Sequence, residues 1–258
     1  MEHLQQFMVY LYKRGLAPST IQGKLSAVAF QAKSNGYRDT TGDFRVRKMI
    51  EGWSKERGRT LDTRAPISPD ILERMCTQWR TLCRDEYEIS LFHAASLIAF
   101  FGALRISELV AQGKADKVRA ALQWGDVKVQ GARVELLIRR SKADQRGKGR
   151  QLVLGLCSNK SICPVRAVNT YLEYRGSEPG YFFQHADKSP LTKYQFWKLT
   201  GLALQAVGIR GARFGTHSFR IGAASTAAAM GYSTQDIKRL GRWSSSCYKR
   251  YIRTLPTV

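Results

Sequence analysis

The sequence predicts a mainly α-helical protein with one small antiparallel β-sheet, an α+β fold in two lobes. Most of the chain places apolar residues at helical spacing between proline, serine or threonine starts and glycine stops. Between residues 122 and 154 the apolar period changes to two, which is typical of strands. A stretch with neither period separates the lobes, so we expect a helical domain over 1–58, a linker over 59–67 and a mixed domain over 68–258.

The first lobe is predicted to be a basic bundle of short helices, over residues 3–15, 19–35 and 43–57. Lys and Arg outnumber Asp and Glu by 42 to 20 in the whole chain, and the third helix is rich in them. Its cations are therefore candidate contacts to DNA phosphates, namely Arg45, Arg47, Lys48 and Lys55. Such a face can be a solvated surface of a stable bundle, or it can clamp a duplex as the two lobes close. The charge of the whole chain favours the clamp.

The second lobe is predicted to begin with a helix at Ser68, because Pro69 then takes the first helical position. The apolar run 89–104 contains His93 and is too short to span a membrane, so we expect a buried helix. Alternating runs predict the sheet, with a basic hairpin tip over 141–150. The remaining helices are expected over 164–175, 193–207, 219–230 and 234–240, and Thr216 is the expected cap of the third of these.

The charge of the chain indicates a polyanionic partner. Lys and Arg number 42 against 20 Asp and Glu, a formal net charge of +22 spread along the whole sequence. A membrane surface is the rival polyanion, but no basic amphipathic anchor with an aromatic face is present. We therefore expect double-stranded DNA as the partner, and no membrane.

The cysteines and histidines indicate neither disulfides nor a metal site. No two of the five cysteines have C-x-x-C spacing, and the four histidines are scattered. This pattern is typical of reduced thiols in the cytosol or nucleus. No signal peptide is recognisable, and we expect no cofactor.

The stretch 216–253 carries the most distinctive chemistry. His217 and Arg220 are three residues apart at a predicted helix start, so they share a face. Tyr251 follows among Arg242, Lys249, Arg250 and Arg253. Cations stabilise a phenolate, and they also stabilise the negative charge that develops when a nucleophile attacks a phosphate.

Four motifs resemble the tyrosine recombinase (phage integrase) family: G-A-L-R-I-S-E-L at 102–109, T-H-S-F-R at 216–220, L-G-R-W at 240–243 and Y-I-R at 251–253. Their wording is most similar to the DIRS/Ngaro and Crypton types carried by eukaryotic mobile elements. The P-S-T-I segment at 18–21 resembles the core-binding domain of the same family. The resemblance implies a site-specific DNA recombinase that works without metal or ATP, through a 3′-phosphotyrosine intermediate.

The resemblance also implies roles for individual residues. Arg105 and Arg220 would bind the scissile phosphate, Glu108 would support Arg105, and His217 would accept the proton of the nucleophile Tyr251. Lys142 would protonate the leaving 5′ oxygen, with Lys148 as a nearby substitute. Without the resemblance, Arg105 reads as a simple ion pair with Glu108. Further expected DNA contacts are Arg146, Lys148, Lys193, Lys198, Lys249 and Arg250.

Two assignments stay open at this point. The family has His or Trp directly after the Gly of L-G, where this chain has Arg242 followed by Trp243. Either side chain could donate to the phosphate, and the indole N–H of Trp243 suits a buried donor. Tyr248, three residues before Tyr251, is the competing nucleophile.

Two other functions compete with recombination. The helices 219–230 and 234–240 can be read as a helix-turn-helix of an inactive, sequence-specific DNA-binding protein. A type IB topoisomerase-like enzyme would relax DNA through a similar covalent link. For the recombinase we expect a homo-tetramer in the synaptic complex, a monomer or dimer when free, and a location in the nucleus if the chain belongs to a eukaryotic element, otherwise in the cytoplasm or nucleoid.

Overall fold

A computed structural model describes residues 2–58, 62–113, 116, 120–139, 149–209 and 213–256 of the chain. The chain divides into two compact units, Met1–Asp62 and Thr63–Val258. None of the described helices is both long and apolar enough to cross a membrane.

Over residues 2–58 the first unit forms three helices, α1 (Glu2–Lys13), α2 (Pro18–Ser34) and α3 (Phe44–Glu56). Its small core is formed by Met8, Leu11, Ile21, Leu25 and Val46. At its edge, the rings of Tyr12 and Trp53 stack with centroids 4.4 Å apart. Asp43 caps α3 by accepting a hydrogen bond from the backbone N–H of Arg45. The three helices confirm the predicted mainly helical character of this part of the chain.

Within the described residues, the second unit contains eight further α-helices and one sheet. Its helices are α4 (Pro69–Thr77), α5 (Trp79–Leu82), α6 (Glu86–Phe101), α7 (Ile106–Leu109), α8 (Pro164–Arg175), α9 (Lys193–Ala206), α10 (Ser218–Ala229) and α11 (Thr234–Gly241). Short 3₁₀ helices span Trp124–Asp126, Lys160–Ile162 and Ser246–Tyr251. The sheet consists of β1 (Val127–Gln130), β2 (Arg133–Ile138) and β3 (Arg150–Gly155).

The sheet is antiparallel in the order β1-β2-β3, as the alternating pattern predicts. Val129 pairs with Val134 and Leu136 pairs with Leu152. The alternation sends Val134, Leu136 and Ile138 into the core. The small sheet in a helical unit confirms the predicted fold class.

Helix α6 is the centre of the second unit and packs against α8, α10 and α4. Its residues 94–100 are all buried, which explains why this stretch is apolar on every side. The helix begins earlier than the apolar run suggests, because Asp85 caps it by accepting from the backbone N–H of Glu88.

The start of α10 differs from the prediction. His217 occupies the N-cap position and makes no capping hydrogen bond, so the expected cap at Thr216 is wrong. The hydroxyl of Ser218 instead accepts from the backbone N–H of Gly215, 3.0 Å away.

The segment expected to end the linker packs inside the second unit. The backbone N–H groups of Ala65 and Ile67 donate to the carbonyls of Arg213 and Ser218, respectively. Ile67 is fully buried. Gly222 of α10 faces it so closely that a Cβ there would lie 1.9 Å from the carbonyl oxygen of Ile67. The missing side chain at Gly222 is therefore what lets this segment lie against α10.

Candidate active site

Arg105 lies in a tight turn between α6 and α7. The turn includes Ala103, whose φ of 42° is unusual for a residue with a side chain. Glu108 accepts from the backbone N–H of Arg105 at 2.9 Å and from its guanidinium at 2.7 Å. The side chain of Arg105 is 20% exposed, whereas that of Glu108 is 2% exposed. The buried carboxylate of Glu108 therefore holds the guanidinium of Arg105 in a position that solvent can reach.

Arg220, on α10, is fully buried and reaches the same turn. Its guanidinium donates to the carbonyl oxygens of Ala103 and Gly241. Burial, followed by the charges of Arg242 and Arg105, lowers the pKa of Arg220 to about 10. The group is still cationic at neutral pH. An anion next to these arginines would relieve their mutual repulsion.

Tyr251 ends the 3₁₀ helix Ser246–Tyr251 and lies over Arg220. The Cζ atom of Arg220 is 5.3 Å from the ring centroid of Tyr251 and 4.5 Å from that of Trp243. The rings of Trp243 and Tyr251 are 4.9 Å apart, and the ring of His217 is 6.5 Å from that of Tyr251. The rings of Trp243 and Tyr251 thus lie against the guanidinium of Arg220, and His217 lies next to Tyr251.

The indole of Trp243 takes this position because Gly241 has no side chain. A Cβ at Gly241 would lie 2.0 Å from the indole ring. Trp243 is 7% exposed and packs with α10 and the 3₁₀ helix. The sequence motif L-G-R-W therefore has a packing reason for its glycine.

The backbone at Tyr251 is tied to α10 by Ser225. The Ser225 hydroxyl donates to the carbonyl oxygen of Tyr251 at 3.2 Å and accepts from the N–H of Arg253 at 2.9 Å. No sequence pattern pointed to this role, because a serine in an alanine-rich helix is expected to serve packing alone.

Tyr248, the competing nucleophile, has a different environment. It is 6% exposed, its hydroxyl lies 3.2 Å from the hydroxyl of Thr234, and Lys238 stands over its ring. The Tyr248 hydroxyl is thus occupied within the protein.

Arg242 is buried beside the turn that carries Arg105. Its guanidinium forms an ion pair with Glu108 at 2.8 Å, and both side chains are 2% exposed. Burial lowers the pKa of Arg242, while the Glu108 carboxylate opposes that shift.

The other expected DNA contacts are distributed over three elements. On α3, Arg45 and Lys48 are exposed and pair with Asp43 and Glu51. The remaining exposed cations among the expected contacts are Arg47, Lys55, Lys193, Lys198, Lys249 and Arg250. The expected residues Lys142, Arg146 and Lys148 lie outside the described part of the chain. Within that part, no three His, Cys, Asp or Glu side chains form a group that could hold a metal ion.

A tyrosine stacked on a buried arginine, beside a second arginine held by a carboxylate, defines a site suited to a phosphodiester substrate. The sequence model of the "Phage integrase family" matches residues 88–256 of this chain. The chain therefore belongs to that family, the tyrosine recombinases. Members of the family cleave and rejoin DNA.

Individual relatives agree with this assignment. The chain is 26% identical over 251 residues to an "Integrase/recombinase xerD homolog" of Selenomonas ruminantium, covering 91% of this chain and 68% of the relative.

Among solved structures, a lambda integrase dimer bound to a COC′ core site matches with a TM-score of 0.62 at 15% identity, over 100% of this chain and 66% of that one. XerH recombinase bound to a palindromic difH substrate matches with a TM-score of 0.65 at 16% identity, over 97% and 65%. This chain therefore spans about two thirds of those two proteins, and the likenesses show that the fold is shared.

Proposed function

We propose that this chain is a site-specific DNA recombinase that cuts and rejoins strands through a 3′-phosphotyrosine intermediate. The observation that carries the proposal is the placement of Tyr251 over Arg220, with Arg105 held at the same turn by Glu108. Neither a helix-turn-helix protein nor a purely structural cluster requires a tyrosine there.

In the proposed reaction, Arg105 and Arg220 neutralise the non-bridging oxygens of one phosphodiester, because guanidinium groups bind such oxygens in a fixed geometry. Tyr251 attacks phosphorus, forming a phosphotyrosine bond and breaking the bond to the 5′ oxygen. His217 accepts the phenolic proton. The leaving oxygen takes a proton from Lys142, a role that rests on the family resemblance alone. A second 5′ hydroxyl reverses the step on another strand, so the bond energy is retained.

The proposal includes one local movement. Arg220 has no exposed surface, because the rings of Tyr251 and Trp243 cover its guanidinium. A phosphate oxygen that binds Arg220 must displace the tyrosine ring from this face.

The biological setting follows from the motifs. The L-G-R-W and Y-I-R wording supports a recombinase of a eukaryotic mobile element, of the DIRS/Ngaro or Crypton type, acting in the nucleus. We propose that four copies assemble around two duplexes, that the helical domain 1–58 and the catalytic domain 68–258 both contact DNA, and that the segment 59–67 connects them.

The test is the capture of covalent protein–DNA adducts. The protein is incubated with duplexes that contain a randomised core, denatured with detergent, and the DNA that stays attached is sequenced. Wild-type protein and Tyr248→Phe should both form adducts at a shared set of sequences, whereas Tyr251→Phe should form none. Adducts with Tyr251→Phe would contradict the assigned nucleophile, and no adducts with wild type would contradict the proposed activity.

A DNA sequence recovered by this adduct capture is then used to distinguish a recombinase from an enzyme that relaxes supercoiled DNA. Two duplexes that carry it should exchange strands in the presence of the protein. Relaxation of a supercoiled plasmid without any strand exchange would instead indicate a topoisomerase-like enzyme.

A further inference from the structure

Arg242 occupies a backbone position at which a side chain is disfavoured. It follows the last residue of α11 with φ 56° and ψ 41°, the left-handed conformation that commonly ends a helix at a glycine. A residue with a Cβ is sterically strained in this conformation. An arginine at this position is therefore best explained by what its side chain binds.

The guanidinium of Arg242 binds one small region of the protein. Nη2 donates to Oε2 of Glu108 at 2.8 Å and to the carbonyl oxygen of Ala103 at 3.2 Å. Nη1 donates to the carbonyl oxygens of Gly102 at 2.9 Å and of Leu240 at 3.3 Å. Three of these four acceptors belong to the segment around Arg105, and the fourth belongs to α11.

These hydrogen bonds leave few N–H donors of Arg242 available to bind a substrate. A guanidinium has five N–H groups, and four of those of Arg242 are already engaged. The fifth, on Nε, is buried and has no partner among the described residues. A phosphate oxygen could bind Arg242 only by displacing bonds that hold the turn together.

Glu108 connects Arg242 with Arg105. One carboxylate accepts from the backbone and the guanidinium of Arg105 and also from the guanidinium of Arg242. With Arg242 removed, the carboxylate would keep one cationic partner in a buried position, and the carbonyls of Gly102 and Ala103 would lose donors. Arg105 would then lose the support that fixes its direction.

We infer that Arg242 is a positioning residue: it fixes Arg105 through Glu108 and ties the segment that bears Tyr251 to the turn after α6, without binding the phosphate itself. This inference rests on the proposed function, because it concerns the same site. It resolves the choice between Arg242 and Trp243 in favour of Trp243 as the residue beside the phosphate.

The test compares two DNA substrates that differ only in the charge of the scissile phosphate. Both carry one sequence recovered by adduct capture, and in one of them a methyl group replaces a non-bridging oxygen of that phosphate. A residue that neutralises the phosphate matters less on the neutral substrate. A residue that acts only by holding Arg105 also matters less there, whereas a residue that also places the nucleophile Tyr251 keeps part of its effect on both substrates.

Arg242→Met should slow adduct formation by about 100-fold on the charged substrate, which is the loss expected when a reacting group is displaced by about 1 Å. Part of that loss should remain on the neutral substrate, because Tyr251 is displaced as well. Arg242→Lys should recover part of the rate. Arg105→Gln should lose less on the neutral substrate. The matched control is Arg239→Met on α11, whose side chain is 72% exposed and pairs with Asp236, and it should react like wild type.

Coupling to Glu108 gives a second readout. If Arg242 acts through Glu108, the double variant Arg242→Met/Glu108→Gln should lose no more than the worse single variant. Should Arg242→Met fail to fold by circular dichroism, both comparisons are made with Arg242→Lys. A loss confined to the charged substrate, or losses that multiply in the double variant, would overturn the inference while leaving the proposed activity intact.

Discussion

Ser225 acts at the scale of a single residue, by fixing the backbone that presents the proposed nucleophile. It is 1% exposed and bonds both the carbonyl of Tyr251 and the N–H of Arg253. The internal hydrogen bonds of a 3₁₀ helix are weaker than those of an α-helix. Hydrogen bonds from Ser225 to the end of this 3₁₀ helix therefore contribute more to its stability.

Ser225→Ala should therefore lower the free energy of unfolding by about 1–3 kcal/mol, the range for one or two lost buried hydrogen bonds. Adduct formation should slow as well, because Tyr251 is less well placed. Chemical denaturation and adduct capture measure the two effects. The control is Thr226→Val at the next position, where the buried hydroxyl has no hydrogen-bond partner among the described residues and stability should not fall. Adduct formation by Ser225→Ala at the wild-type rate would contradict the anchoring role.

Gly241 gives a second prediction at this scale. Gly241→Ala places a Cβ about where the indole of Trp243 lies, at 2.0 Å, so the ring must leave its place beside Arg220. We expect a loss of stability of about 1–3 kcal/mol together with slower adduct formation. Gly201→Ala in α9 is the matched control, because nothing lies within 4 Å of its Cβ position; it should stabilise the helix by about 0.5–1 kcal/mol. Equal stability of the two variants would show that the indole has room to move.

At the scale of elements, α10 joins the core to the site. It packs against α6, α11 and the 3₁₀ helix that bears Tyr251. Its glycine at 222 faces the backbone of Ile67, so the helix can approach an extended segment without a side chain between them.

Gly222→Ala should be strongly destabilising. Its Cβ would meet the carbonyl oxygen of Ile67 at 1.9 Å, and a backbone atom cannot swing aside as the end of a side chain can. The midpoint of thermal unfolding should fall well below that of the Gly201→Ala control. The free energy of unfolding should decrease by about 3 kcal/mol or more. A midpoint equal to that of wild type would mean that the segment 65–67 does not pack against α10 in solution.

The helices could be predicted from the sequence, whereas the contacts between distant segments could not. Local signals predicted the helices well, because caps and stops such as Ser68, Asp43 and Gly176 act on neighbouring residues. The four site motifs were recognised by their wording, since side chains that serve one reaction recur in fixed local patterns. Contacts between distant segments were not predictable in this way: Ile67 was assigned to a linker, and the ion pair of Arg242 with Glu108 spans 134 positions of the chain.

At the scale of the whole molecule, charge dominates. The net charge of +22 includes exposed cations on α3, on α9 and next to Tyr251. Neutralising phosphates releases counterions, so binding to DNA becomes weaker as salt is added.

The affinity for duplex DNA should fall with a log–log slope of about −5 or steeper in salt if six or more phosphates are contacted. Arg47→Gln and Lys55→Gln should each make the slope less steep by about 1. Lys188→Gln is the control, because that lysine already pairs with Glu178 at 2.6 Å. Titrations at several salt concentrations measure the slope, and a flat dependence would rule out a phosphate clamp.

The carbonyl oxygen of Ala103 accepts from both Arg220 and Arg242. A change at either arginine therefore alters the surroundings of the other, and the two positions should show epistasis in any mutational scan. Engineering that replaces Arg242 by the histidine found at this place in the family should for that reason vary Glu108 in the same library, because Glu108 would lose its ion pair with Arg242. Libraries that diversify them one at a time would discard combinations that work.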